Sequence, residues 1–381
     1  MHPTLTALGL GALFGLAAPG RALASSCWVY FGTDPVDARS GIYRATLDQE
    51  SGALSAPVRV TEGKDSEFFA FSPDRRHLYS LSREPHNGEG GQEVIESYNV
   101  DAKSGALTLI GKRRVDGSEA CHISVDPSGR CVLTANYGAH YIEVFPVRGD
   151  FTVGERTCIL HHEGKGPRPD RQESAHPHSI NVDPAGKFAV VCDLGLDTID
   201  VYRLDAARAT LDPTPAFTYH GTPGAGPRHF TFHPDGKHAF VINELDSTIV
   251  AFDWDGAKGT LTPVTTVPIL ARDYAGPANT AAEVVVAPSG NFVYGSNRGD
   301  DSLVVHSFDP ATGQMAFVQR ITEGIKVPRN YAIDPSGRWL VCANLKADTA
   351  TVYGVDPATG RLTYTGTVKV PEALCVRFLQ P

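Results

Sequence analysis

Short apolar runs that alternate with polar residues dominate the chain, and they come in pairs split by a tight turn. The pattern is plainest in Arg228-His229-Phe230-Thr231-Phe232, a His233-Pro234-Asp235-Gly236 reversal, and Ala239-Phe240-Val241-Ile242-Asn243. Period-two alternation on both sides of a Pro-Asp-Gly turn predicts a β-hairpin. Because the turn reverses the chain, Arg228 and His229 at its start are predicted to share one end of a sheet with Asn243 and Glu244 at its finish.

The unit recurs at Pro73, Pro127, Pro184, Pro234, Pro288 and Pro335, at spacings of 54, 57, 50, 54 and 47 residues. Each copy continues into a third strand, such as Ile142-Glu143-Val144-Phe145 or Ile249-Val250-Ala251-Phe252, and a fourth that often follows a Gly-Xaa-Leu turn. A period near 50 with about four strands per period is the signature of a propeller. Trp28 to Thr33 reads as a second strand and Leu374 to Leu379 as a first strand, so the two ends together predict one more blade. The expected fold is all-β: a seven-bladed β-propeller of four-stranded antiparallel blades over residues 25–381, its last blade closed by both termini. Closure removes exposed sheet edges.

Counting back from each proline, the second and fourth positions are mostly large and apolar, as in Phe71 and Phe69 or Phe232 and Phe230, and are expected between blades. The third is small or polar in most copies and is expected on a narrow channel. The fifth holds Phe68, His122, Ser179, His229, Glu283 and Asn330, and the sixth Glu67, Cys121, His178, Arg228, Ala282 and Arg329. Second strands return to the same end at Ser82, Asn136, Asp193, Asn243, Asn297 and Asn344, followed by Arg83, Tyr137, Leu194, Glu244, Arg298 and Leu345. One mouth is thus predicted to be ringed with Arg, His and Glu. The Asn and Asp residues at the strand ends, and Asp126, Asp183 and Asp334 before the prolines, read as turn formers.

Composition narrows the partners. A net charge of −9 argues against nucleic acid or an anionic membrane, while leaving room for a local basic pocket. Residues 1–24 contain an apolar run and end Ala22-Leu23-Ala24, which predicts a secretory signal cleaved after Ala24 and a periplasmic or secreted protein; without such a signal the address is cytoplasmic. His2 stands where a Lys or Arg is usual. Seven cysteines with no CxxC pair argue against a disulfide framework or a structural zinc. A bridge between Cys27 and Cys375, at the two ends of the mature chain, is a hypothesis for geometry to decide.

An arginine cluster in an acidic protein fits capture of an anionic small molecule, because guanidinium meets carboxylate or phosphate in two-pronged fashion. A carboxylate beside it can activate water and a histidine can protonate a leaving oxygen, a set suited to opening or closing a lactone. Arg–Glu pairs pinning blades together remain the structural alternative. No nucleophilic-serine, phosphate-loop or HExxH motif is present. Gly164 to His176, with two prolines and no periodicity, is expected to be a mobile loop over the mouth.

The ordered segments Ala120 to Arg130, Ala175 to Pro184, Gly226 to His229 with Asn243 to Leu245, Ala282-Glu283, Ser296 to Gly299 and Pro328 to Pro335 resemble the seven-bladed propeller lactonases. That family includes the propeller type of 6-phosphogluconolactonase and is similar to the fungal 3-carboxy-cis,cis-muconate lactonising enzyme. The resemblance implies a lactone hydrolase acting on an anionic sugar lactone, with His178, Arg228, Glu244 and Arg298 catalytic and no metal or other cofactor. Within that frame Glu244 is the expected base, Glu283 its alternate and His178 the acid, while His122, His229, Glu283 and Arg329 are expected to bind substrate. A lactonising cycloisomerase and a non-catalytic secreted binding propeller are the alternatives. The signal-like N-terminus departs from a cytosolic sugar-phosphate role.

Overall fold

The computed structural model describes residues 26–34, 39–61, 66–84, 92–117 and 119–380; the expected signal segment lies outside them. Seven antiparallel sheets follow one another along the chain. In six of them the strand order is the chain order, from inner to outer edge. In the remaining sheet Ala373–Leu379 is the inner strand and pairs with Ser26–Thr33, so the two ends of the chain close one blade as expected. The blade that begins at Pro177–Val182 carries two short outer strands, Thr210–Leu211 and Phe217–His220, both paired with Thr198–Asp205.

The repeat is visible in its turns. Asp126 accepts hydrogen bonds from the amides of Arg130 and Cys131, Asp183 from Lys187 and Phe188, and Asp334 from Arg338 and Trp339, at 2.6–2.9 Å. These carboxylates are turn formers, as predicted. Between blades, apolar side chains from the alternating positions form the core, with Phe69 and Ile180 fully buried. Truncating one of the larger ones typically costs about 3–5 kcal/mol. Gly105 shows why the outer turns take glycine: its φ is +65°, and a Cβ there would lie 2.7 Å from the Trp28 ring.

The proposed Cys27–Cys375 bridge does not form; both thiols are free and buried. Pairing sets Cys375 opposite Gly32, five residues along the strand from Cys27, roughly 16 Å at strand spacing.

One backbone feature decides which residues reach the channel mouth. Every inner strand carries a β-bulge near its start, where the register against the second strand slips. The residues set apart by the slip are Glu67, Cys121, His178, Arg228, Ala282 with Glu283, Arg329 and Leu374. Strict alternation would turn the sixth position before each proline away from the side faced by the fifth. A bulge re-aims its extra residue, and here residues from both positions, such as Glu67 with Phe68 and Arg228 with His229, meet the cavities.

Candidate active site at the channel mouth

Two adjoining cavities lie at this end. The outer one is a cleft of about 430 Å³ lined by the bulge residues Glu67, Cys121, His178 and Arg329, by the second-strand ends Arg83, Tyr137, Glu244 and Arg298, and by Asp34, Glu119 and Arg171. Beneath it lies a chamber of about 10 Å³, room for a single water, walled by bulge residues Glu67, Cys121, Arg228, Arg329 and Leu374 with Phe68, His229 and Asn330 from the layer below. Glu67, Cys121 and Arg329 belong to both.

Three arginines converge on Glu244. Its Oε1 accepts from Arg171 Nη2 at 2.6 Å, while Oε2 pairs with Arg228 Nε at 2.9 Å and Arg298 Nη2 at 2.7 Å. Arg228 is only 1% exposed and also donates to the Ala282 carbonyl at 2.6 Å; Arg298 donates to that of Ala281 at 2.7 Å. Burial opposes the charge on Glu244, yet Arg298 and Arg228 outweigh it and hold its carboxyl well below the usual carboxylate range. It is an anion at any working pH. Beside it, burial and then Arg228 push His178 well below the usual imidazole range, so this ring is neutral. Its backbone carbonyl accepts from Cys121 Sγ at 3.3 Å, and burial drives the Cys121 thiol up to about 12, which excludes a resting thiolate.

The other side of the cleft is acidic. Asp34, Glu67 and Glu119 line it together with Arg83, whose Nη2 lies 3.8 Å from Glu67 Oε1 and 3.0 Å from Glu93 Oε1. The mouth is therefore bipolar: guanidiniums predominate on one wall, around Glu244, and carboxylates on the opposite one, around Arg83.

The eight residues singled out in the sequence divide between these layers. His178, Glu244, Arg298 and Arg329 line the cleft, and Arg228, His229 and Arg329 the chamber. His122 and Glu283 line neither. Glu283 is consumed by packing: Oε1 pairs with His229 Nδ1 at 3.0 Å and accepts from the Val284 amide at 2.9 Å, and Oε2 accepts from Asn330 Nδ2. His122 is sandwiched against Phe68 and His229, with ring centroids 4.5 and 5.5 Å apart. The substrate contacts expected of this pair give way to support of the layer beneath.

The loop from Gly164 to His176 is fastened rather than free. Gln172 is fully buried and donates to the Leu194 carbonyl and to Asp197 at 2.8 Å, and Arg168 donates to the Leu245 carbonyl at 3.2 Å. It delivers Arg171 to Glu244, a contact no periodicity could announce. The bulge residues had a readable trace: consecutive polar pairs such as Arg228-His229 and Arg329-Asn330 interrupt the alternation. Among the described residues, one group could gather a metal ion, His233, Asp235 and His238, whose ligand atoms all lie within 4.8 Å. It sits in the hairpin turn at the far end of the strand that starts at Pro227, away from the mouth.

Comparison with known proteins agrees with this architecture. The family described as "Lactonase, 7-bladed beta-propeller" matches residues 28–378. The 6-phosphogluconolactonase of Bacillus subtilis is 35% identical over 351 residues, covering 92% of this chain and 97% of its own. Among solved structures, the periplasmic gluconolactonase PpgL of Pseudomonas aeruginosa superposes with a TM-score of 0.86 at 28% identity, covering 94% of this chain and all of that one. A Lactobacillus plantarum protein gives 0.85 at 30% identity, covering 93% and 99%. Blade count, closure and the match along the whole propeller leave one assignment: this chain belongs to the seven-bladed β-propeller lactonase family.

Proposed function

We propose that this chain hydrolyses a sugar lactone in the bipolar cleft, with substrate bound by its own side chains. The observation that carries the reading is the set of arginines ordered around Glu244 beneath an open cleft, in a member of a lactonase family. Arg298, Arg329 and Arg171 present cationic donors to the lactone carbonyl and to any anionic substituent. As charge develops on the carbonyl oxygen during attack by water, donors already fixed by Glu244 need no reorganisation, which is where such groups contribute most to rate.

This electrostatic setting revises two expected roles. With three arginines on it, Glu244 has little affinity for a proton, so its part is to order the guanidiniums and orient water rather than to act as base. Neutral His178 is a poor acid and a good hydrogen-bonding partner for a sugar hydroxyl. A purely structural Arg–Glu lock would leave no cavity above the pair, whereas here a cleft of about 430 Å³ opens over it.

The N-terminal signal-like segment and the likeness to a periplasmic gluconolactonase support export to the periplasm and, with it, an unphosphorylated sugar lactone as substrate. The test is hydrolysis of a panel of sugar lactones, with and without a 6-phosphate, by chelator-treated protein and its Arg298→Ala variant. We expect chelator-resistant turnover that favours the unphosphorylated lactone and falls about 100-fold in the variant. Preference for the phosphorylated lactone would overturn the substrate assignment, and no turnover on any lactone would overturn the hydrolase reading.

A further inference from the structure

A hydrolytic water needs a group that can take its proton near neutral pH, and neither Glu244 nor His178 supplies one. The ring of bulge residues does. Around the mouth it runs Glu67, Cys121, His178, Arg228, Ala282, Arg329 and Leu374, and Glu67 is its one carboxylate that meets the cleft, since Glu283 beside Ala282 is taken up by His229 and Asn330. Its neighbours on either side in the ring are a neutral thiol and a leucine, and the blades facing it across the mouth contribute Arg228 and Ala282. Its side chain, 24% exposed, borders both the substrate-sized cleft and the one-water chamber.

We propose that Glu67 is the catalytic base of the reaction: it takes a proton from the attacking water and returns it to the ring oxygen of the lactone. This inference rests on the lactone-hydrolase reading above. As the water oxygen bonds to the carbonyl carbon, one of its protons passes to the Glu67 carboxylate and the carbonyl electrons move to oxygen, facing the arginine wall. Collapse of the tetrahedral intermediate breaks the bond between that carbon and the ring oxygen, which receives the proton from Glu67. The product is a hydroxy acid that loses its own carboxyl proton to solvent, and Glu67 ends as it began.

The surroundings suit that task. Desolvation is the largest influence on Glu67 and raises its carboxyl to about 7, with Arg329 and Arg83 lowering it and Asp34 and Glu93 raising it further. Cys121 stays neutral beside it, and Arg228 faces it from the chamber wall. A base poised near the operating pH is the efficient one.

The experiment is a pH–rate profile on a hydrolysed lactone for wild type, Glu67→Gln and Glu67→Asp, with the carboxyl carbons followed by 13C NMR across the same pH range. Expected for the wild type is a rate that rises with pH through about 7 and levels off, and one carboxyl titrating with it. Glu67→Gln should lose that resonance and that limb and at least about 100-fold in kcat, with KM within about threefold. Glu67→Asp should keep the limb at a reduced plateau. A wild-type rate or an unchanged limb in Glu67→Gln overturns the proposal, as does a Glu67 resonance titrating in the ordinary carboxylate range; the NMR reading holds even if the Gln variant folds poorly. Failure of the wild type on every lactone overturns the hydrolase reading instead, and is told apart because no variant is involved.

Discussion

Glu244 and Glu67 stand on opposite walls of one cleft, and their settings are reversed. Glu244 ends a second strand, with guanidinium nitrogens at 2.6, 2.7 and 2.9 Å that hold it anionic. Glu67 starts an inner strand, its nearest arginine nitrogen is 3.8 Å away, and loss of solvent raises its carboxyl to about 7. Chemically identical groups are thus separated into a fixed charge and a proton carrier by what packs around them. Pairs driven apart in this way are how one site performs both electrostatic and acid–base work at a single pH.

Removing the fixed charge should have the largest effect. Glu244→Gln leaves Arg228 buried without its counter-charge, which we expect to cost about 3 kcal/mol in denaturant unfolding and more than about 100-fold in turnover. If stability is unchanged, the arginines do not depend on Glu244 and the contrast between the walls weakens. Next comes Arg171→Ala, which removes the loop's contact with Glu244 while two arginines still hold that carboxylate. KM is expected to rise about tenfold with kcat within about threefold, measured by steady-state kinetics. A collapse of kcat instead would make Arg171 part of the transition-state array.

The smallest effect sharpens the comparison through pH. The folded state raises the Glu67 carboxyl above its unfolded value, so folding binds a proton there and stability falls as pH rises from about 4.5 to about 7, then levels. Relief of that cost, about 3 kcal/mol for a shift of this size and reduced to about 1 by solvent screening at the partly exposed side chain, should make Glu67→Gln more stable than wild type at pH 8 and equal to it at pH 4. Glu244 works in the other direction. Its lowered carboxyl adds stability above the unfolded carboxylate range, and that stability is lost as pH falls through the folded-state value. Denaturant midpoints at pH 8 and pH 4 check the Glu67 sign, and midpoints followed further into acid check that of Glu244.

Much of the architecture is legible in the sequence because it is local. Pro-Xaa-Gly turns and strict alternation are properties of short windows, and a spacing near 50 residues counts the blades. Arg228, Glu244 and Arg298 were legible for the same reason, since a hairpin must bring its two ends together. The bulge was harder. It reverses side-chain parity within one residue, so Glu67 and Cys121 enter the cleft although simple alternation turns them from it. Glu283 misled in the opposite sense: a carboxylate near the mouth looks available, and only its pairing with His229 and Asn330 reveals that it is spent. Arg171 depended on how a loop without periodicity folds back onto Glu244, information that lies in long-range contacts.

The bulge ring also bears on how such a protein changes its chemistry. Seven side chains project from equivalent backbone positions, one per blade, so the mouth reads as a seven-letter word on a repeated scaffold: Glu, Cys, His, Arg, Ala, Arg, Leu. One letter can be rewritten without remodelling a loop or moving a strand. Ala282 and Leu374 are the blank letters, sites where a new polar group would enter the ring while the Glu244 array stays intact. A propeller of this kind can acquire new substrates by spelling rather than by refolding.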